Sequence, residues 1–216
     1  MTSRASVVPT RGNSPSLVCI PPGVAVLGRW EPLPLCAAHS TVPGATPLAR
    51  TIAAMASRER DSLIAALDGD RAHVLAQLEG LTDADLRRPV LPSGWHCLGL
   101  VRHLTLSDER YWFQVVMAGG SLDWWPAGEN GDWQVESDEP AAAVLAAYRS
   151  AIEASNTVIA GMSLDDRPRR REPEWPEGWF PDLRAVLQHV IVETATHAGQ
   201  LDAVTELLDG RQYLVL

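Results

Sequence analysis

The sequence predicts an all-α protein, a four-helix bundle around a single core. Three observations carry this: four amphipathic stretches of about 20 residues, no convincing alternating strand, and loops punctuated by Gly and Pro. The 216 residues suit one domain plus an extension, and a hydrophobic content of 46% is ordinary for a chain with a proper core.

The first 56 residues stand apart. Half of the 16 prolines fall there: Pro9, Pro15, Pro21, Pro22, Pro32, Pro34, Pro43 and Pro47. Proline removes a backbone donor and restricts its neighbour, so residues 1–56 are expected as a disordered extension and residues 57–216 as the bundle. Met55 directly precedes the first helical pattern, which makes it an alternative start of translation. The apolar run from Leu17 to Gly28 is broken by Pro21 and Pro22 and does not pair a basic start with a clean apolar core, so it makes a poor signal peptide.

From Ser57 the pattern is helical. Leu63, Leu67, Val74 and Leu78 share one face and Gly80 ends the helix. A turn at Thr82–Asp85 and a loop through Pro89, Pro92 and Gly94 follow. Ser93 is placed to cap a second helix from Trp95 to Ala118, stopped by Gly119 and Gly120. After a Trp-rich loop over 121–137, Ser137 or Asp138 is placed to cap a third helix, with Pro140 in its first turn and Gly161 near its end. A second Pro- and Trp-rich loop leads to Pro181 and Asp182, which open a fourth helix ending at Gly210. Loops this long are functional or lid-like more often than packing alone requires. Trp124, Trp125, Trp133, Trp175 and Trp179 either fold over one end of the bundle or anchor the loops to the core.

A net charge of −9 argues against a phosphate-backbone binder, so no nucleic-acid partner is expected. The basic run Arg167–Arg171 is bracketed by Asp165, Asp166, Glu172 and Glu174 and reads as a solvated loop. No apolar run reaches the roughly 18 residues of a membrane span. Cys19, Cys36 and Cys97 form no CxxC pair and no disulfide framework, which fits the reducing cytoplasm.

The informative residues lie on the fourth helix. At about 100° per residue, Val186, Val190, Leu201, Val204 and Leu208 fall within roughly 40° of His197, which puts this histidine in the core-facing stripe. Glu193, one turn earlier, lies at the edge of the stripe. A buried carboxylate needs a partner, and ligands at i and i+4 suit one metal ion. His103 on the second helix is flanked by Leu100 and Leu106 and aims inward, with Ser107 and Arg110 on the same face. Two readings stay open on these residues alone: one divalent ion on His103, Glu193 and His197, or a Glu–His pair bridging the helices without metal.

Other candidates are weaker. His189 lies about 12 Å along the axis from His197, too far to share an ion easily, and is given a supporting or surface role. Gln200, one turn beyond His197 but off the stripe, is a candidate supporting or pocket residue. Cys97 reads better as a small buried residue than as a ligand. His39 and His73 have no matching partner. HExxH, a repeated ExxH, a P-loop, GxGxxG and GxSxG are all missing.

The segments Ser93-Gly-Trp-His-Cys-Leu-Gly-Leu-Val-Arg-His103-Leu and Glu193-Thr-Ala-Thr-His197-Ala-Gly-Gln-Leu-Asp, with Arg60-Asp-Ser-Leu-Ile-Ala-Ala-Leu-Asp, resemble the DinB-like superfamily of four-helix metalloproteins over residues 57–211. The His/Glu/His set is similar to that of the mycothiol-dependent maleylpyruvate isomerase branch, although many members use three histidines. The resemblance implies an up-down-down-up bundle, one Zn, Ni or Fe ion open at one end, and a low-molecular-weight thiol such as mycothiol. The expected function is a metal-dependent thiol S-transferase or isomerase acting on a small-molecule substrate. The alternative is a non-enzymatic, stress-related metal- or ligand-binding protein, and a third reading is a metal-free scaffold. An exposed helix face leaves room for a homodimer without requiring one.

Overall fold

The structure, a computed structural model, describes residues 46–213, and every regular element among them is helical. The elements are α1 (Pro47–Leu78), a short α2 (Asp83–Leu86), α3 (Cys97–His103), α4 (Ala141–Ala160) and α5 (Leu183–Asp209). Helix α3 runs directly into a π-helical segment, Leu104–Met117, and a single 3₁₀ turn occupies Gly131–Trp133. None of the described helices is long and apolar enough to cross a membrane. The disordered extension, the signal-peptide question, His39, Cys19 and Cys36 concern residues outside the described ones, apart from 46–56.

Those last residues are helical. Helix α1 starts at Pro47, not Ser57, because Thr46 accepts a hydrogen bond from the Ala49 amide at 3.2 Å and Pro47 fits the first turn without needing a donor. Met55 therefore lies inside α1. The apolar positions Leu48, Ile52 and Met55 are largely exposed, which explains why this stretch gave no core-facing pattern.

Two expected caps differ. The N-cap of α3 is His96, whose ring accepts from the Gly99 amide at 3.1 Å, in place of Ser93. Helix α4 starts after Pro140, and its Ala141 amide donates to Asp83 on α2 at 3.1 Å, so neither Ser137 nor Asp138 caps it. The remaining punctuation follows the sequence: Asp182 caps α5 through the Ala185 amide at 2.9 Å, and Gly210 ends it at φ 80°.

The second helix is one continuous element only in outline. Past His103 it widens, as the Ala118 amide bonding to Phe113 O at 3.0 Å illustrates. Ser155 on α4 donates to the backbone carbonyl of Glu109 at 3.1 Å, supplying a partner from outside the segment. The wider turn shifts which side chains face inward. Asp108 and Glu109 are buried along with Trp112 and Phe113, while Ser107, Arg110 and Tyr111 are half-buried.

Helix α1 packs on α5, and α4 packs on the π segment and α3. Two apolar clusters result. One holds Val74, Leu98, Leu104, Tyr148 and Leu201, the other Leu67, Trp112, Phe113, Ile159 and Val190. Along each long helix the polar residue between the two clusters is buried: Arg71 on α1, Asp108 and Glu109 on the π segment, Ser155 on α4, Thr194 on α5. Arg71 grips Glu109 with two hydrogen bonds of 2.7 Å and also reaches Asn156 at 2.8 Å. A bidentate arginine satisfies both carboxylate oxygens in a space where an unpaired charge would cost several kcal/mol.

Candidate functional site

His103 and His197 come together between α3 and α5. Their ring centroids lie 5.0 Å apart, edge to face at 74°. The last residue of α3 thus meets the core-facing stripe of α5, as the helical phase of His197 predicts. The His103 Nδ1–H donates to Asp132 Oδ2 at 2.6 Å, and the His197 Nδ1–H donates to Gln200 Oε1 at 2.9 Å. Both acceptors lack a proton to give, so each fixes the tautomer of its ring and leaves Nε2 as the free lone pair. Among the described residues neither Nε2 takes a hydrogen bond.

Burial pushes the His197 imidazole down to about 4, with His103 adding to the shift whenever its own ring is protonated, so His197 is neutral and a competent donor near pH 7. Burial raises the Glu193 carboxyl, while His103 pulls it back down. Glu193 therefore lies within the field of His103, but it makes no hydrogen bond to it. Among the described residues no three His, Cys, Asp or Glu side chains already stand close enough to hold one ion. The two imidazoles are assembled and oriented; the carboxylate is adjacent and half-buried.

The loop before α4 supplies two further members. Trp133 stacks on His103 with centroids 4.5 Å apart and meets His197 edge-on at 5.8 Å. Asp132 is its neighbour in the same 3₁₀ turn. The loop is held by Arg102, which pairs with Glu139, and by Arg87, which donates to Glu136 O at 3.1 Å. The backbone also approaches closely: a Cβ at Gly99 would lie 2.8 Å from Trp133 O, so only glycine fits there.

Asp132 is not marked in the sequence, and Trp133 stands out there only as one of five loop tryptophans, since their contacts to His103 bridge a loop and no short-range spacing marks them. Asp108 is not marked there either. Burial first, then the negative charges of Glu193 and Glu109, hold its carboxyl well above the usual carboxylate range.

The remaining candidates take other roles. His189 sits among aromatics, 4.5 Å from Trp112 and 5.0 Å from Phe180, and burial pushes it down to about 4. Cys97 is fully buried and its thiol is pushed up to about 11, which makes it a core residue and a poor thiolate. His73 does have a partner, Asp202 at 2.7 Å, and stacks on Tyr213 at 3.8 Å, away from the His103–His197 pair.

Fold and site define an all-helical protein whose facing helices present two tautomer-fixed imidazoles beside a carboxylate. The family model for mycothiol-S-transferase matches residues 62–210, and the chain belongs to that family, within the DinB-like superfamily. No curated protein and no solved structure matches the chain.

Proposed function

We propose that the protein is a metal-dependent S-transferase that uses mycothiol, or a thiol like it, with His103, Glu193 and His197 holding one divalent ion of the Zn, Ni or Fe type. The observation that carries the reading is the pair of free Nε2 atoms, each left open because its Nδ1 is engaged by Asp132 or Gln200. Hydrogen bonds from the second ring N–H to an oxygen acceptor orient histidine ligands in metal sites, and the Asp132–His103 contact is the carboxylate form of that pairing. The family match supports the thiol. The donor set fits: two neutral-capable imidazoles and a carboxylate suit a borderline divalent ion and leave at least one position open. The long helices are read as an up-down-down-up bundle, with this site between α3 and α5.

A divalent ion held there would supply the Lewis acidity that brings a thiol's pKa toward neutrality. The chain's own contribution is positional. Asp132 and Gln200 hold the imidazole rings, Trp133 covers His103, and Glu193 brings the negative charge that offsets the ion. The thiol gives its proton to solvent water, its sulfur forms a bond to an electrophilic carbon of a small-molecule substrate, and the displaced group leaves with the electron pair of the bond that breaks. Cys97 cannot replace that thiol, being buried in the apolar cluster. The work takes place in the cytoplasm, where low-molecular-weight thiols stay reduced.

Elemental mass spectrometry on purified wild type and His197→Ala tests the reading. About one ion per chain in wild type, lost in the variant together with transfer of mycothiol to a model electrophile, is expected. Metal without any thiol transfer would favour a ligand-binding protein. Wild type that stays metal-free after reconstitution with Zn, Ni and Fe would end the proposal.

A further inference from the structure

A cleft of about 310 Å³ is lined in part by Trp95, His96, Gly99, Asn130, Trp133 and Gln134. Its volume lies at the lower end of small-molecule sites, about 300–1,000 Å³. The cleft shares Trp133 with the site, the same residue that stacks on His103. A ligand in the cleft is therefore one side chain away from the imidazoles.

The chemistry of the lining is specific. None of the lining residues is Asp, Glu, Lys or Arg, so nothing there offsets the charge of a phosphate, a carboxylate or an ammonium group. Two indoles, 6.3 Å apart and tilted by 60°, give apolar faces. Among the described residues the side-chain amides of Asn130 and Gln134 and the indole N–H groups of Trp95 and Trp133 make no hydrogen bond within the protein. Asn130 holds a left-handed conformation, φ 55° and ψ 31°, which is uncommon outside glycine and concentrates at ligand sites. Aromatic faces beside exposed neutral amides, free of any protein partner, match a ring that is apolar on its C–H face and rich in hydroxyls at its rim.

We infer that this cleft binds a neutral polyhydroxylated ring, the sugar–cyclitol portion of the thiol cofactor, and so points its sulfur toward His103 and His197. The inference rests on the thiol reading above and assigns the end of the molecule that carries no sulfur. Mycothiol suits it chemically, since its cysteine is amide-linked to a glucosamine–inositol pair and bears no free carboxylate. Asn130 and Gln134 bind hydroxyls, and Trp95 and Trp133 pack on ring faces.

Isothermal titration of the full chain with three probes tests the assignment: mycothiol, sulfur-free glucosaminyl-inositol with its amine acetylated so that it is neutral, and N-acetylcysteine. The variant is Asn130→Gly combined with Gln134→Ala, in which glycine keeps the left-handed backbone and circular dichroism checks the fold. Wild type should bind glucosaminyl-inositol, and the double variant should bind it and mycothiol at least 10-fold more weakly while N-acetylcysteine changes less than twofold. No binding of glucosaminyl-inositol, or equal affinity in wild type and variant, overturns the assignment whatever a transfer assay gives. Equal binding of free glucose would mark a general sugar site and overturn the link to the thiol. Glucosaminyl-inositol binding that the variant loses, in a protein without thiol transfer, would support the cleft and remove only the transferase reading.

Discussion

Asp132 Oδ2 accepts a hydrogen bond from His103 Nδ1 at 2.6 Å, tying the loop before α4 to the last residue of α3. Both side chains are mostly shielded, at 15% and 16% exposure, so water competes poorly for either group. The contact sets the tautomer of His103 and the aim of its Nε2, and both depend on a residue far away in sequence. Removal of such a partner typically lowers metal affinity about 10–100-fold. Asp132→Ala is expected to fall in that range in a chelator competition, with helicity unchanged. An affinity equal to wild type would show that Trp133 alone holds the ring.

The Arg71–Glu109 pair joins α1 to the π segment through two bonds of 2.7 Å, with side chains 3% and 1% exposed. Breaking a buried pair from one side leaves a charge uncompensated, at a cost of about 3–5 kcal/mol. Arg71→Met should lose stability on that scale in urea unfolding. Arg71→Met with Glu109→Met should recover a good part of it, since no charge is then stranded. Equal losses in the single and double variants would mean that hydrogen bonds from Arg71 to Asn156 and Asp68 dominate.

Acid should weaken the fold through histidine. Burial pushes His189 and His197 down to about 4, from 6.5 in an exposed chain. Between those values the unfolded chain binds protons that the folded one excludes, so stability is fully present above about pH 6.5 and declines as pH falls toward 4. Each group contributes up to about 3 kcal/mol across the window. His189→Leu removes one contribution without touching the His103–His197 pair. Its urea midpoint should fall less than that of wild type between pH 7 and pH 5; parallel falls would assign the acid sensitivity elsewhere.

Helical phase made part of the site legible. On α5, a regular α-helix, 100° per residue puts His197 among Val190, Leu201 and Val204, and those residues are buried with it. Gln200 follows from the same geometry at i+3. After His103 the 100° period no longer holds, because the wider π turn buries Asp108 and Glu109 and leaves Arg110 half-buried. Arg71 resembles any charged residue on an amphipathic helix until its partner on another helix is known. Asp132 and Trp133 reach His103 across a loop, and loop geometry has no period to read.

Two glycines separate close approach from mere helix weakening. Gly99 lies in α3, where an added Cβ would come 2.8 Å from Trp133 O, a backbone atom that cannot rotate away. Gly69 lies in α1 with nothing within 4 Å of that position. An alanine at Gly69 limits the unfolded chain and favours the helix, which should stabilise the protein by about 0.5–1 kcal/mol. The same change at Gly99 must move the loop that carries Asp132 and Trp133, at a cost of about 1–3 kcal/mol typical of overpacking. Because that loop orients His103, Gly99→Ala should also weaken metal retention, whereas Gly69→Ala should leave it unchanged. Urea unfolding and chelator competition on both variants read the two effects separately. A Gly99→Ala protein with wild-type stability and metal affinity would show that the loop can retreat from α3 without disturbing His103, and that Asp132 follows the ring instead of fixing it.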